Sequence, residues 1–205
     1  MFSEALNLFI AGGYVMYVLL ILSIFAVAVA IERYLYFGTV DSGAAFAEAA
    51  SRSLREGDYS AVIELCKNTK GANAQIILKA LELKTVGAAF LEKYMEGEAG
   101  ICIANLRRRI PYLSIIVTMS PLLGLLGTVI GMISSFNVFA AQSGQPHAIT
   151  GGVGEALIAT ASGLCVALVA LVLHSYFAQR IDDILTDMER TFSAYIESLY
   201  RGDAS

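Results

Sequence analysis

Three long apolar stretches stand out against an otherwise mixed pattern of polar and apolar residues. The first, AGGYVMYVLLILSIFAVAVAI, ends at Ile31; the second, YLSIIVTMSPLLGLLGTVIGMISSFNVFAA, runs from Tyr112 to Ala141; the third runs from Gly152 to Ala178. Each reaches the ~20 residues that a helix needs to cross the hydrocarbon core of a bilayer. The segment between the first two, Glu32 to Ile110, has no strand-like alternation and predicts helices. In it, DSGAAFAEAASRSLREGD has Asp41 or Ser42 as a cap and Gly57 as a stop, and YSAVIELCKN and ANAQIILKALELK each carry an apolar stripe at helical spacing. From Ala88 to Arg109 the pattern predicts one long helix leading toward the second span, weakly interrupted by Gly97 and Gly100.

Composition agrees with this pattern: 205 residues, 57% hydrophobic and 16% charged, with a mean hydropathy of +0.65, describe an integral membrane protein rather than a soluble domain. The first stretch is no cleavable leader by pattern, because no basic residue precedes it and Glu32 and Arg33 follow it. All 14 Lys and Arg fall between Arg33 and Arg109 or between Arg180 and Arg201. The bias of basic residues toward the cytoplasm then gives seven segments: residues 1–11 outside, a span at 12–31, a helical cytoplasmic domain at 32–110, a span at 111–141, an outer loop at 142–151, a span at 152–178 and a cytoplasmic C-terminal helix at 179–205. The fold class expected is all-α, with three transmembrane helices and a helical cytoplasmic domain too short for an independent enzyme.

Charge and candidate chemistry narrow the function. The net charge of −4 and the absence of a basic stripe give no reason to expect nucleic acid. His147 and His174 have no ligand partners at metal spacing, so no metal is expected. GLLGTVIG lacks the Lys of a phosphate loop, and no nucleophile motif frames Ser120, Ser134 or Ser162, so covalent catalysis is not expected. Cys66, Cys102 and Cys165 read as small hydrophobes. Ser120, Gly124, Gly127, Thr128, Gly131, Ser134 and Ser135 recur at steps of three and four, one helix face suited to close packing and also able to turn hydroxyls toward a pore. Ala156, Thr160, Gly163 and Ala167 form a similar stripe in the third span. Glu155 is the one charged residue between Ile110 and Gln179. A carboxylate there is either an ordinary first-turn residue favoured by its own helix dipole, or an ionisable group kept inside a span for a functional reason. It stands about 140° around the helix from Thr160, so the two cannot point along one line. A secondary transporter would need internal repeats, which the chain lacks; a passive scaffold would leave Glu155 and the threonines replaceable.

SPLLGLLGTVIGMISSF followed by GGVGEALIATASGLCVAL resembles the paired motifs of the MotA/TolQ/ExbB proton-channel family, carried here by Pro121 to Gly131 and Gly152 to Leu164, with AIERYLYF after the first span as a third point of likeness. Three spans and a modest cytoplasmic block resemble its ExbB/TolQ branch. The resemblance implies an inner-membrane channel or motor subunit, multi-pass, with the outer side in the periplasm. Such subunits form a homo-oligomeric ring of five around a dimer of a single-span ExbD/TolR-like partner, working with a TonB-like or other envelope protein and needing no cofactor. By position it implies that Thr128 and Thr160 line the ion path with Glu155 beside them, Ser135 and Ser162 adding further polar lining. Ser162 departs from the small or apolar residue usual there, which leaves sodium open beside the proton as coupling ion.

Overall fold

The computed structural model describes residue 9, residues 12–141 and residues 147–203. Among them there is no strand. Seven α-helices follow in order: α1 Gly13–Val40, α2 Ala44–Glu56, α3 Tyr59–Asn68, α4 Ala72–Glu82, α5 Ala88–Arg107, α6 Ile110–Ala141 and α7 His147–Asp203, with a 3-10 turn at Lys84–Val86. Three helical stretches are long and apolar enough to cross a membrane, one each around α1, α6 and α7. Much of their surface is bare hydrocarbon side chain, as with Ile21 and Ile24 on α1, Leu122 and Ile133 on α6, and Leu168 and Val172 on α7, all exposed. In water such faces would associate; in lipid they need no cover. The protein is an all-α membrane protein.

The chain divides into two compact units. The first comprises residues 1–31 and 109–176, and so holds the apolar stretches. Of the residues expected to form one face of α6, Ser120, Gly124, Gly127, Gly131 and Ser135 lie at its seam with α7, whereas Ser134 is exposed. A side chain at Gly127 would put its Cβ 2.6 Å from that of Ala159, one at Gly131 would meet Ala156 and the Gly152 carbonyl at 3.0 Å, and one at Gly163 would fall 2.5 Å from the Ser120 carbonyl oxygen. Backbones this close are reached only where side chains are absent or tiny, and van der Waals packing of this kind is what joins helices in lipid. Pro121 sits inside α6 and has no N–H to give to the preceding turn. Next to it, the buried Ser120 hydroxyl has no hydrogen-bond partner.

The second unit comprises residues 32–108 and 177–205. The stripes read from the sequence enter its core as Val62 and Cys66 from α3 and Ala74, Ile77 and Ala80 from α4, joined by Phe46, Ala47, Ala50 and Leu54 from α2, Leu91, Met95 and Leu106 from α5, and Ile181, Ile184, Met188 and Tyr195 from α7. Polar groups inside it are paired. Asn73 donates from Nδ2 to the Asp187 carbonyl at 3.2 Å and accepts at Oδ1 from the Thr191 hydroxyl at 2.8 Å, while the Tyr195 hydroxyl donates to the Ala80 carbonyl at 3.1 Å. Burial pushes the Tyr195 phenol up to about 12 and the Cys66 thiol up to about 11, and it raises Asp187 above the usual carboxylate range. Arg33, of the AIERYLYF stretch, is buried; it donates to Glu32 at 2.5 and 2.6 Å and to the Asn105 carbonyl at 3.1 Å, and lies over the Tyr36 ring.

Gly57 ends α2 in the left-handed region, φ 79°, as a glycine stop does. The start of α2 differs from expectation. Its N-cap is Gly43, with no side-chain cap; neither Asp41 nor Ser42 serves. Both are committed elsewhere: Asp41 accepts from the Gly43 N–H at 2.8 Å and pairs with Arg180 at 2.6 Å, and the Ser42 hydroxyl accepts from the Ala74 N–H at 3.2 Å. Ala74 stands in the first turn of α4, whose own N-cap, Gly71, has no side chain to offer. Ser42 therefore caps a helix 30 residues further along the chain. Two boundaries also differ from the hydropathy pattern. α7 begins at His147, ahead of Gly152, and continues without a break to Asp203 in place of a separate C-terminal helix.

Candidate functional site

All five candidate residues lie in the first unit, on α6 and α7. Thr160 faces α6: its hydroxyl donates to the Gly124 carbonyl at 2.9 Å. That bond exists because Gly124 has no side chain, so that the Thr160 backbone lies only 3.0 Å from where a Cβ of residue 124 would be. Thr128, half-buried on α6, donates to the Leu125 carbonyl of its own helix at 2.6 Å. Ser135 is buried, donates to the Gly131 carbonyl at 2.8 Å and fills the space beside Gly152. Ser162 is half-buried on α7.

These hydroxyls share one chemical property. Each has a single hydrogen, and in Thr128, Thr160 and Ser135 that hydrogen is committed to a main-chain carbonyl, which leaves the oxygen lone pairs as acceptors. An acceptor of fixed direction suits a cation, a hydronium or a water that donates.

Glu155 stands apart. With α7 starting at His147, it lies more than two turns inside the helix, beyond the reach of that helix's own N-terminal dipole. The first-turn explanation for an acid at this position therefore lapses. The side chain is half-buried and turns to α1, where its Oε1 occupies a point 2.0 Å from where a Cβ of Gly13 would stand. Glu155 and Thr160 thus point to different neighbours, α1 and α6, as their angular separation requires. Among the described residues Glu155 has no ion pair. The contact with Gly13 was not read from the sequence, although the pair of glycines in AGGY at the mouth of the first span was the signal available for it.

Comparison with known proteins bears on what these residues are. The pattern of the MotA/TolQ/ExbB proton channel family matches residues 68–190, well over half the chain and all five candidates. The chain belongs to the MotA/TolQ/ExbB proton-channel family. Within it, the ExbB/TolQ branch is the near one. A biopolymer transport protein ExbB homolog of Methanothermobacter thermautotrophicus is 28% identical over 190 residues, covering 92% of this chain and 68% of the relative. A biopolymer transport protein ExbB-like 1 of Synechocystis is 33% identical, covering 86% and 73%. The Tol-Pal system protein TolQ of Haemophilus influenzae is 32% identical over 100 residues, covering 48% and 44%. Membership in this branch makes the chain a multi-pass membrane subunit of the proton-channel family.

Proposed function

We propose that this chain is an inner-membrane subunit that uses the proton motive force to energise outer-membrane transport or envelope work, as five copies ringed around a dimer of a single-span ExbD/TolR-like partner and acting on a TonB-like or other envelope protein. Its N-terminus and residues 142–151 face the periplasm; residues 32–110 and 179–205 are cytoplasmic, following the positions of the basic residues. Glu155, Thr128 and Thr160 serve the ion path, with Ser135 and Ser162 as further polar lining. One observation carries this reading: Glu155, the single charged residue between Ile110 and Gln179, and the acceptor hydroxyls of Thr128 and Thr160 all fall in the stretch that matches the family. Moving one elementary charge through the membrane potential releases about 2.3 kcal/mol per 100 mV. A ring wrapped around a dimer of different symmetry can turn successive transfers into rotation or shear.

The test is energised uptake or envelope integrity in cells that depend on this chain, together with recovery of a single-span membrane protein on gentle purification. Glu155→Gln, Thr128→Val and Thr160→Val are expected to keep folding and assembly, since each nearly preserves shape, and to lose most of the energised work. Replacing sodium by potassium at constant voltage separates the ions: loss of activity assigns sodium, to which Ser162 would contribute an oxygen, and unchanged activity assigns the proton. Full activity in all three variants would leave a passive scaffold as the better description.

A further inference from the structure

Gly13 opens α1 with φ 68°, in the left-handed region that side-chain-bearing residues seldom adopt. A Cβ added there would meet Glu155 at Oε1 (2.0 Å), Cδ (3.1 Å) and Cγ (3.6 Å). One residue earlier, a Cβ at Gly12 would meet Met16 of α1 itself first, at Cγ (2.4 Å) and Sδ (2.8 Å), and then Ile158 Cγ2 at 3.2 Å. Glu155 and Ile158 are three residues apart and share a face of α7. Gly13 therefore offers bare backbone to α7, and the carboxyl end of Glu155 occupies the space that a side chain at residue 13 would take.

We propose that Gly13 is a positioning residue for Glu155: the missing side chain fixes where the carboxyl rests, against α1 and away from the Thr160–Gly124 contact. A glutamate side chain has three rotatable bonds and several staggered rotamers of similar energy, so its surroundings select which of them it occupies. With any Cβ at residue 13, the flexible carboxyl end must swing aside, because it gives way more easily than two packed helices. The consequence for ion coupling rests on the function proposed above; the placement of the side chain does not.

The experiment reads placement and coupling separately. The purified full chain in lipid nanodiscs is treated with a hydrophobic carbodiimide, and modification of Glu155 is followed by mass spectrometry of its peptide. Gly13→Ala carries both the steric conflict and an unfavourable φ; Gly13→Asn carries the same conflict in a residue that tolerates positive φ better. Gly38→Ala, in the same helix with nothing within 4 Å of its added Cβ, is the control. Both Gly13 variants are expected to change the Glu155 labelling rate on the order of fivefold or more, as for residues in direct contact, with Gly38→Ala unchanged. Wild-type rates in both overturn the proposal. Should Gly13→Ala fold too poorly to label, Glu155→Asp decides, since a side chain one methylene shorter withdraws the carboxyl from the disputed space. Recovery of folding in Gly13→Ala/Glu155→Asp supports positioning, and no recovery places the fault in the backbone alone and overturns it. Altered labelling with undiminished energised work would keep the positioning role of Gly13 and remove Glu155 from the coupling path.

Discussion

Exchanging glycine for alanine should have opposite effects in the two units, and the α6–α7 seam says by how much. At Gly163 the added Cβ falls 2.5 Å from the Ser120 carbonyl oxygen and 3.2 Å from the Gly124 backbone, about 0.9 Å short of ordinary contact with the first. Both obstacles are backbone, so neither can rotate away and the helices must part. Overpacking of this kind costs about 1–3 kcal/mol. Parting them also stretches the Thr160–Gly124 hydrogen bond, which is 2.9 Å long; such bonds between membrane helices average ~0.6 kcal/mol. Against this, alanine favours a helix by about 1 kcal/mol over glycine. The net expectation for Gly163→Ala is a loss of about 0.6–2.6 kcal/mol, or about 1–10 °C of Tm at roughly 2–4 °C per kcal/mol for a chain of this size. Gly100→Ala on α5 meets nothing within 4 Å, so the helix term acts alone and Tm should rise. Thermal unfolding of both variants in one detergent is the assay. A Tm for Gly163→Ala at or above wild type would refute the close seam, and with it the explanation of why Thr160 reaches Gly124.

Two further outcomes concern the second unit. Ser42→Ala removes the hydroxyl that accepts from the Ala74 N–H and should cost about 0.5–2 kcal/mol, as for loss of a helix cap, with hydrogen exchange accelerated in the first turn of α4 rather than of α2; protection lost in α2 instead would restore the local cap. For Asp187, burial, joined by the like charges of Asp41 and Asp183, outweighs Arg190 and Arg180 and raises its folded value. The folded state therefore disfavours the ionised form, so the stability tied to this group is full below the unfolded value of ~3.9 and is lost as pH rises through the raised one. Asp187→Asn should accordingly unfold at a higher temperature than wild type at pH 7, with the difference shrinking toward pH 3; a difference constant across that range would contradict the assigned cause.

How much of this was legible in the sequence depended on the range of the interaction. Hydropathy found the three apolar stretches because a span is a property of ~20 consecutive residues. The stripes of α3 and α4 were visible because periodicity is local, and the α6 stripe from Ser120 to Ser135 showed itself as a packing face because small residues every three or four positions have few other uses in lipid. The cap of α2 was misread because Ser42 serves α4, and nothing local to DSGAAF records where Ala74 will be. The start of α7 was placed too late because HAITGG is not apolar, and hydropathy reports what suits lipid rather than where hydrogen bonding begins. Its unbroken run to Asp203 has a plain cause: from Tyr176 to Tyr200 no Gly or Pro interrupts it. The contact of Glu155 with Gly13 joins residues in different apolar stretches: the glycine pair of AGGY signals a close approach, but nothing near it in the sequence says that Glu155 is what approaches.

The nature of that contact bears on how Glu155 can work. A carboxylate held inside a bilayer by Lys or Arg would be difficult to release, since removing one partner of a buried ion pair costs about 3–5 kcal/mol. Among the described residues no such partner holds it. What seats the side chain at Gly13 is contact of a few atoms, each pair contributing about 0.1–0.2 kcal/mol, which sums to roughly thermal energy. Moving a single charge through 100 mV, at about 2.3 kcal/mol, exceeds that several-fold. A seat this shallow gives the carboxyl a defined resting place without locking it there. For the coupling role proposed above, the space left by a glycine can do this where a basic residue could not.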